Sequence, residues 1–183
     1  MRISELDILI VPGWNNSGPG HWQSRWEARM QTARRVDLGD WDAPVRSTWV
    51  DALVAAVAAT TRPALLVAHS LGVLTVAHAA PRFGAGRVAG AFLVAPPDLE
   101  QQPRPAEIDP AFLPIPKVPL PFPSVLVHSN SDPYCQVSRA LEFARAWGSE
   151  TADAGDAGHI NTASGHGPWP EGLMRLAGFL KTL

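Results

Sequence analysis

The sequence has a single cysteine, a single tyrosine and no surplus of either charge, and each scarcity removes a class of reading. A lone Cys135 cannot close an intramolecular disulfide, so a disulfide-stapled scaffold is excluded and a cytoplasmic protein is expected. Fifteen Lys and Arg stand against 17 Asp and Glu, a formal net charge of -2. The basic residues are scattered, and such a chain lacks the cationic field that holds nucleic acid. Met1 to Asp7 has neither the basic start nor the apolar run of a signal peptide. Residues 63–81 carry no formal charge and approach membrane-spanning length, but His69, Ser70, Gly72 and His78 interrupt them. No transmembrane segment and no membrane partner are therefore expected. Phosphate-loop, dinucleotide and H-E-x-x-H or C-x-x-C patterns are missing as well, and the expected chemistry needs no cofactor and no metal.

What is present alternates. Leu6–Val11, Ala64–Ala68, Val88–Val94 and Val125–Val127 are apolar runs of buried parallel-strand type, with weaker candidates at Arg35–Leu38 and Glu150–Ala152. Helical patterns over His21–Gln31, Thr48–Ala59, Leu71–Ala80, Val137–Trp147 and Glu171–Leu180 separate them, and Gly148 is placed to close the fourth. With 183 residues, this predicts one α/β domain over 1–183. Its sheet should be mostly parallel, with helices on both faces and reactive loops at the carboxyl ends of the strands. Prolines at 96, 97, 103, 105, 110, 114, 116, 119, 121 and 123 fix φ and delete amide donors. The segment 96–123 should accordingly be an extended excursion without a large helical lid, or a plain surface loop.

The run Ala64-Leu65-Leu66-Val67-Ala68-His69-Ser70-Leu71-Gly72 carries an apolar strand into a serine flanked by small residues and then into a helix. Strand, sharp turn and helix in this order make a nucleophile elbow, in which positions two before and two after the serine must be small. A serine hydroxyl needs a base to take its proton, and the base needs an acid to hold its tautomer. The order serine, acid, histidine is met by Ser70, by Asp132 in Asn130-Ser131-Asp132-Pro133, and by His159 in Gly158-His159-Ile160-Asn161. Asp98 is a rival acid, and His128, His166, His78 and His21 are rival bases. Asp132 is preferred because its loop follows the later strand, and His159 because it sits on a glycine-bearing turn.

Acyl transfer also needs donors for a developing oxyanion. The Leu71 amide, opening the elbow helix, is one candidate. Trp14 in Val11-Pro12-Gly13-Trp14-Asn15-Asn16 is the other, with Asn15 as the fallback. A substrate site edged by Trp14, His21, Trp22 and Trp169 would suit short apolar or aromatic acyl groups. Cys135 lacks an elbow and is expected to pack beneath the acid loop. The leading reading is a serine hydrolase acting on small carboxylic esters or related acyl compounds. The alternative is a binding or interaction protein built on a hydrolase scaffold, because fold alone does not establish turnover.

Val11-Pro12-Gly13-Trp14, Gly20-His21-Trp22, Ala68-His69-Ser70-Leu71-Gly72, Ser131-Asp132-Pro133-Tyr134-Cys135, Gly158-His159-Ile160-Asn161 and Gly165 to Gly172 together resemble the small serine hydrolases related to retinoblastoma-binding protein 9. The resemblance spans nearly the whole chain. It implies a compact α/β-hydrolase fold with little or no lid, esterase-type hydrolysis, and a triad on Ser70, Asp132 and His159. Binding of the retinoblastoma protein rests on a Leu-x-Cys-x-Glu motif; Cys135 lies instead between Tyr134 and Gln136, so that partner is not expected.

Overall fold

The computed structural model describes residues 1–101 and 103–183. Six strands, β1 (Asp7–Val11), β2 (Ala33–Arg35), β3 (Ala64–His69), β4 (Val88–Val94), β5 (Ser124–His128) and β6 (Glu150–Asp153), form one sheet in the order β2-β1-β3-β4-β5-β6. Every neighbouring pair is parallel. Five helices connect them: α1 (Trp22–Glu27), α2 (Arg46–Ala58), α3 (Leu71–Ala79), α4 (Val137–Trp147) and α5 (Pro170–Leu180). No helix among the described residues is long and apolar enough to cross a membrane.

The apolar strands have a direct cause. β1, β3 and β5 are buried at every position, because helices cover both faces of a parallel sheet and neither face can be polar. Successive residues point to opposite faces and build two cores. Leu9, Leu66 and Leu93 face Trp49, Leu53, Val76 and Phe143 of α2, α3 and α4. Ile8, Leu65 and Phe92 face Trp22, Trp26, Leu176 and Phe179 of α1 and α5. The strand order reverses between β1 and β3, since the chain leaves β1 for the β2 edge and returns to pair β3 on the other side. The loops leaving β1 and β3 diverge there, and the crevice between them is where parallel α/β sheets take ligands.

Two elements differ from the sequence expectation. β2 lies at Ala33–Arg35, not Arg35–Leu38. Val36 and Leu38 are buried, but as loop residues sealing the first core, so their apolar character marks burial and not pairing. Helix α1 ends at Glu27 and not Gln31, because the Glu27 carboxylate accepts from the Arg35 backbone and guanidinium and Met30 must turn the chain back into β2.

The proline-rich segment is neither a lid nor a loose loop. It is a strap laid along the α3 and α4 side of the sheet, with one short turn at Pro110–Phe112 and with Phe112, Ile115 and Phe122 buried in the first core. Trp147 Nε1 donates to Pro116 O at 2.7 Å, and the Leu120 amide donates to Trp147 O at 3.0 Å. Arg139 of α4 clasps the other end, donating to Asp98 at 2.8 and 3.2 Å and to Glu100 at 2.6 Å, and pairing with Glu142. Side-chain exposure is 8% for Arg139 and 2% for Asp98, so losing the guanidinium strands a buried carboxylate. Arg139→Met should lower unfolding free energy in urea by about 3–5 kcal/mol. Arg82→Met, which removes the exposed partner of Asp51, should cost less than about 1 kcal/mol.

Candidate active site

Ser70 is the turn between β3 and α3, with φ 54 and ψ -128. That left-handed backbone holds the hydroxyl clear of both elements, and the packing around it demands small neighbours. A Cβ at Gly72 would lie 2.3 Å from Val11 O and 2.5 Å from Pro12 O; one at Gly13 would lie 2.8 Å from Ser70 Cβ and 3.0 Å from Leu71 N. The β1 loop and the elbow are thus pressed together. Neither the Trp14 nor the Leu71 amide has an acceptor among the described residues, whereas the Asn15 amide donates to Trp41 O at 2.9 Å. Of the two amides considered in this loop, Trp14 is the free one.

Three side chains from three loops meet over the elbow. Ser70 Oγ lies 2.9 Å from His159 Nε2, and His159 Nδ1 lies 2.9 and 3.0 Å from the two oxygens of Asp132. A carboxylate can only accept, so Nδ1 carries the proton and Nε2 accepts from the serine hydroxyl. The acid loop is held by the Tyr134 amide, which donates to Asp132 Oδ1 at 2.9 Å. The loops after β5 and β6 are laced by Ser129 Oγ, which takes the Ala157 amide, and by Ser131 Oγ, which takes the Gly158 amide. Gly158 has φ 56, and a Cβ there would lie 2.7 Å from that of Ser164; only glycine passes this turn.

His69, the residue before the serine, is more than a spacer in the elbow. It is buried and its Nε2 donates to His159 O at 2.8 Å, so the residue preceding the serine fixes the main chain of the histidine. Its ring stands 4.9 Å from both His21 and His159. Burial holds His69 well below the usual imidazole range, and the neighbouring imidazoles of His159 and His21 would repel a proton on it as well. His21 is pushed down to about 4, by burial first and then by Arg35. Both rings are neutral in the fold, while the unfolded chain protonates near its ordinary 6.5. Between those values the unfolded state binds more protons, so stability should fall as pH drops from about 6.5 towards 4 and stay flat above. Urea midpoints at about pH 7.5 and 5 test this, with the drop expected to shrink in His21→Asn, which keeps a capping acceptor.

A cavity of about 420 Å³ opens beside Ser70 and His159. Trp14, Leu71 and His21 line it. Trp22 and Trp169 do not, which corrects their assignment as substrate residues. Trp22 is fully buried and spends its indole N–H on Ile160 O at 2.9 Å. Trp169 packs on Trp22 and stacks on Trp26. Both are core under α1 and α5, where a large ring gains more from burial than at a rim. The strap supplies lining residues that motif reading missed, Pro97, Leu99 and Ile108 among them, and the loops supply Asn16, Asn161 and Thr162. Pro97, Leu99, Ile108 and Thr162 belong to no motif, and Asn16 and Asn161 stand in motif segments without a role of their own, so spacing alone gave no signal.

The rivals are occupied elsewhere. Asp98 pairs with Arg139, His78 Nε2 with Phe112 O, and His166 Nδ1 with Ser164 Oγ; His128 is buried on β5. Cys135 is buried below the acid loop, and its thiol is pushed up to about 12 by burial and by Asp98 and Asp132. A protonated thiol is a poor nucleophile.

The serine hydrolase family model matches residues 8–178. The chain belongs to the serine hydrolase family. Among solved structures, this serine hydrolase is similar to a protein of Pectobacterium atrosepticum described as a YdeN-like hydrolase. Identity is 35% over 98% of this chain and 94% of that one, with a TM-score of 0.85. The ydeN gene product of B. subtilis shares the fold at 18% identity, 96% and 99% coverage and a TM-score of 0.75. So does a thermophilic esterase from Thermogutta terrifontis, at 16% identity, 97% and 90% coverage and a TM-score of 0.69. Among curated proteins, none matches the chain.

Proposed function

We propose that this serine hydrolase cleaves small carboxylic esters through an acyl-enzyme on Ser70. The observation that carries the reading is the unbroken chain of hydrogen bonds from Ser70 Oγ through His159 to Asp132. Ser70 Oγ attacks the ester carbonyl while His159 Nε2 takes its proton; His159 then protonates the leaving oxygen, and the alcohol departs. Asp132 keeps Nδ1 protonated and stabilises the imidazolium that forms. The free amides of Trp14 and Leu71 receive the oxyanion, for which each donor contributes about 100- to 1000-fold in rate. Water then repeats the sequence on the acyl-enzyme. The motifs shared with hydrolases related to retinoblastoma-binding protein 9 support the same assignment, and the similarity to a thermophilic esterase favours esters over other acyl compounds. Turnover of short-chain 4-nitrophenyl esters, together with covalent labelling by a fluorophosphonate, tests the reading. Protein that is folded yet silent in both assays would end it.

A further inference from the structure

The two walls of the cavity differ in chemistry. Trp14, Leu71, Leu99, Pro103, Pro105 and Ile108 form one side, and Leu71, Leu99 and Ile108 continue the core beneath α2, α3 and α4. The opposite side is polar. His21 stands directly before Trp22 and Asn161 directly after Ile160, both members of the other core. The loops carrying them touch, since a Cβ at Gly20 would lie 3.5 Å from the Thr162 methyl.

The polar wall has a definite sense. Asn16 Oδ1 accepts from the Ser17 amide at 2.7 Å and from Arg35 at 2.5 Å. Asn161 Oδ1 accepts from the Ser164 amide at 3.0 Å, and His21 Nδ1 accepts from the Gln23 amide at 3.2 Å. Each acceptor is therefore committed inside the protein, which settles both amide orientations and the His21 tautomer. What these three residues leave for the cavity is a set of donors, the Nδ2 groups of Asn16 and Asn161 and the Nε2–H of His21, none with a partner among the described residues; Asn15, Tyr134 and Thr162, which also line it, can both donate and accept. Among the described residues no Lys or Arg lines the cavity, and the one carboxylate that does, Asp98, is held by Arg139.

We infer that the site takes esters joining a compact apolar acyl group to a neutral, hydroxyl-rich alcohol. The inference rests on the hydrolase reading, which also sets the direction. His159 must reach the leaving oxygen, so the alcohol lies on the side of the loop that carries His159 and Asn161. The acyl carbon, bonded to Ser70 and with its oxygen on the Trp14 and Leu71 amides, directs its chain to the strap. In the step itself the Ser70 Oγ–acyl bond forms, the acyl–alkoxy bond breaks, and the serine proton passes through His159 Nε2 to the alkoxy oxygen. Lone pairs on the alcohol's hydroxyls meet the donor wall. A charged leaving group would have no counter-ion there and would forfeit its hydration.

Two esters differing only in two hydroxyls make the test: 2,3-dihydroxypropyl butyrate and propyl butyrate, followed by butyrate release. The glycerol ester is expected to have kcat/KM at least about tenfold higher, as two new neutral hydrogen bonds give. Asn16→Ala and Asn161→Ala remove the free donors without adding a carboxylate to which a hydroxyl could donate. The double variant should bring the ratio close to one, and a ratio of two esters on one preparation is insensitive to the fraction of folded enzyme. Equal kcat/KM for the two esters in the native protein, a preference surviving the double substitution, or faster turnover of carboxymethyl butyrate would each overturn the inference. Equal turnover of both esters leaves the hydrolase reading standing, whereas no butyrate release and no fluorophosphonate labelling removes both.

Discussion

Ser70→Ala should reduce kcat on 4-nitrophenyl butyrate by about 10⁵- to 10⁶-fold and abolish fluorophosphonate labelling, with little change in the urea midpoint. Among the described residues Ser70 supplies the hydroxyl that meets His159 Nε2, and Cys135 is protonated and buried below the acid loop. What activity survives comes from the amides and from substrate placement. Asp132→Asn separates geometry from tautomer. An amide at that place offers N–H to Nδ1, which favours the tautomer with its proton on Nε2, and such a ring cannot accept from Ser70. A loss of about 10⁴-fold is expected, larger at neutral than at alkaline pH. A Ser70→Ala protein that keeps more than a trace of turnover, on a preparation free of other esterases, would refute the role assigned to the hydroxyl.

Gly72→Ala should be among the most damaging single methyls at the glycines of this chain. The added carbon would sit 2.3 Å from Val11 O and 2.5 Å from Pro12 O, and both neighbours are backbone, tied into the β1 and β3 pairing on one side and the elbow helix on the other. Neither can retreat without opening the sheet at its switch point. The expected cost is more than about 3 kcal/mol out of a total stability of about 5–15 kcal/mol for an ordinary domain. Gly178→Ala in α5 is the control. Nothing lies within 4 Å of the added carbon, and the better helix former should stabilise by about 0.5–1 kcal/mol. Equal melting of the two variants would show that the elbow relaxes more easily than its contacts imply.

Much of this architecture is written locally. Val137–Trp147 is helical over the whole span expected because its apolar side, its length and Gly148 at φ 69 agree with one another. The central strands β1, β3, β4 and β5 were legible because burial on both faces leaves no choice but apolar residues, whereas the partly exposed β2 carries no such signature. That Ser70, Asp132 and His159 lie within hydrogen-bond reach of one another could be anticipated because a strained turn, an acid loop and a glycine turn each leave a local trace in chain order. The tryptophans were not legible in this way. Trp14 and Trp22 are equally apolar, and only the register of α1 against the sheet decides that one borders a cavity while the other is sealed under Ile160. The strap was equally opaque, since proline content specifies stiffness and not the surface against which a stiff segment lies. Its position is decided by Arg139 and Trp147, residues on a helix that follows it.

That arrangement has a consequence for how the pocket meets its ligand. A wall made of prolines and pinned near both ends arrives already shaped, with little rotational freedom left to surrender when a guest enters. Discrimination must then come from fit to a standing contour instead of from a flap folding down, and what fails to match is turned away at the door.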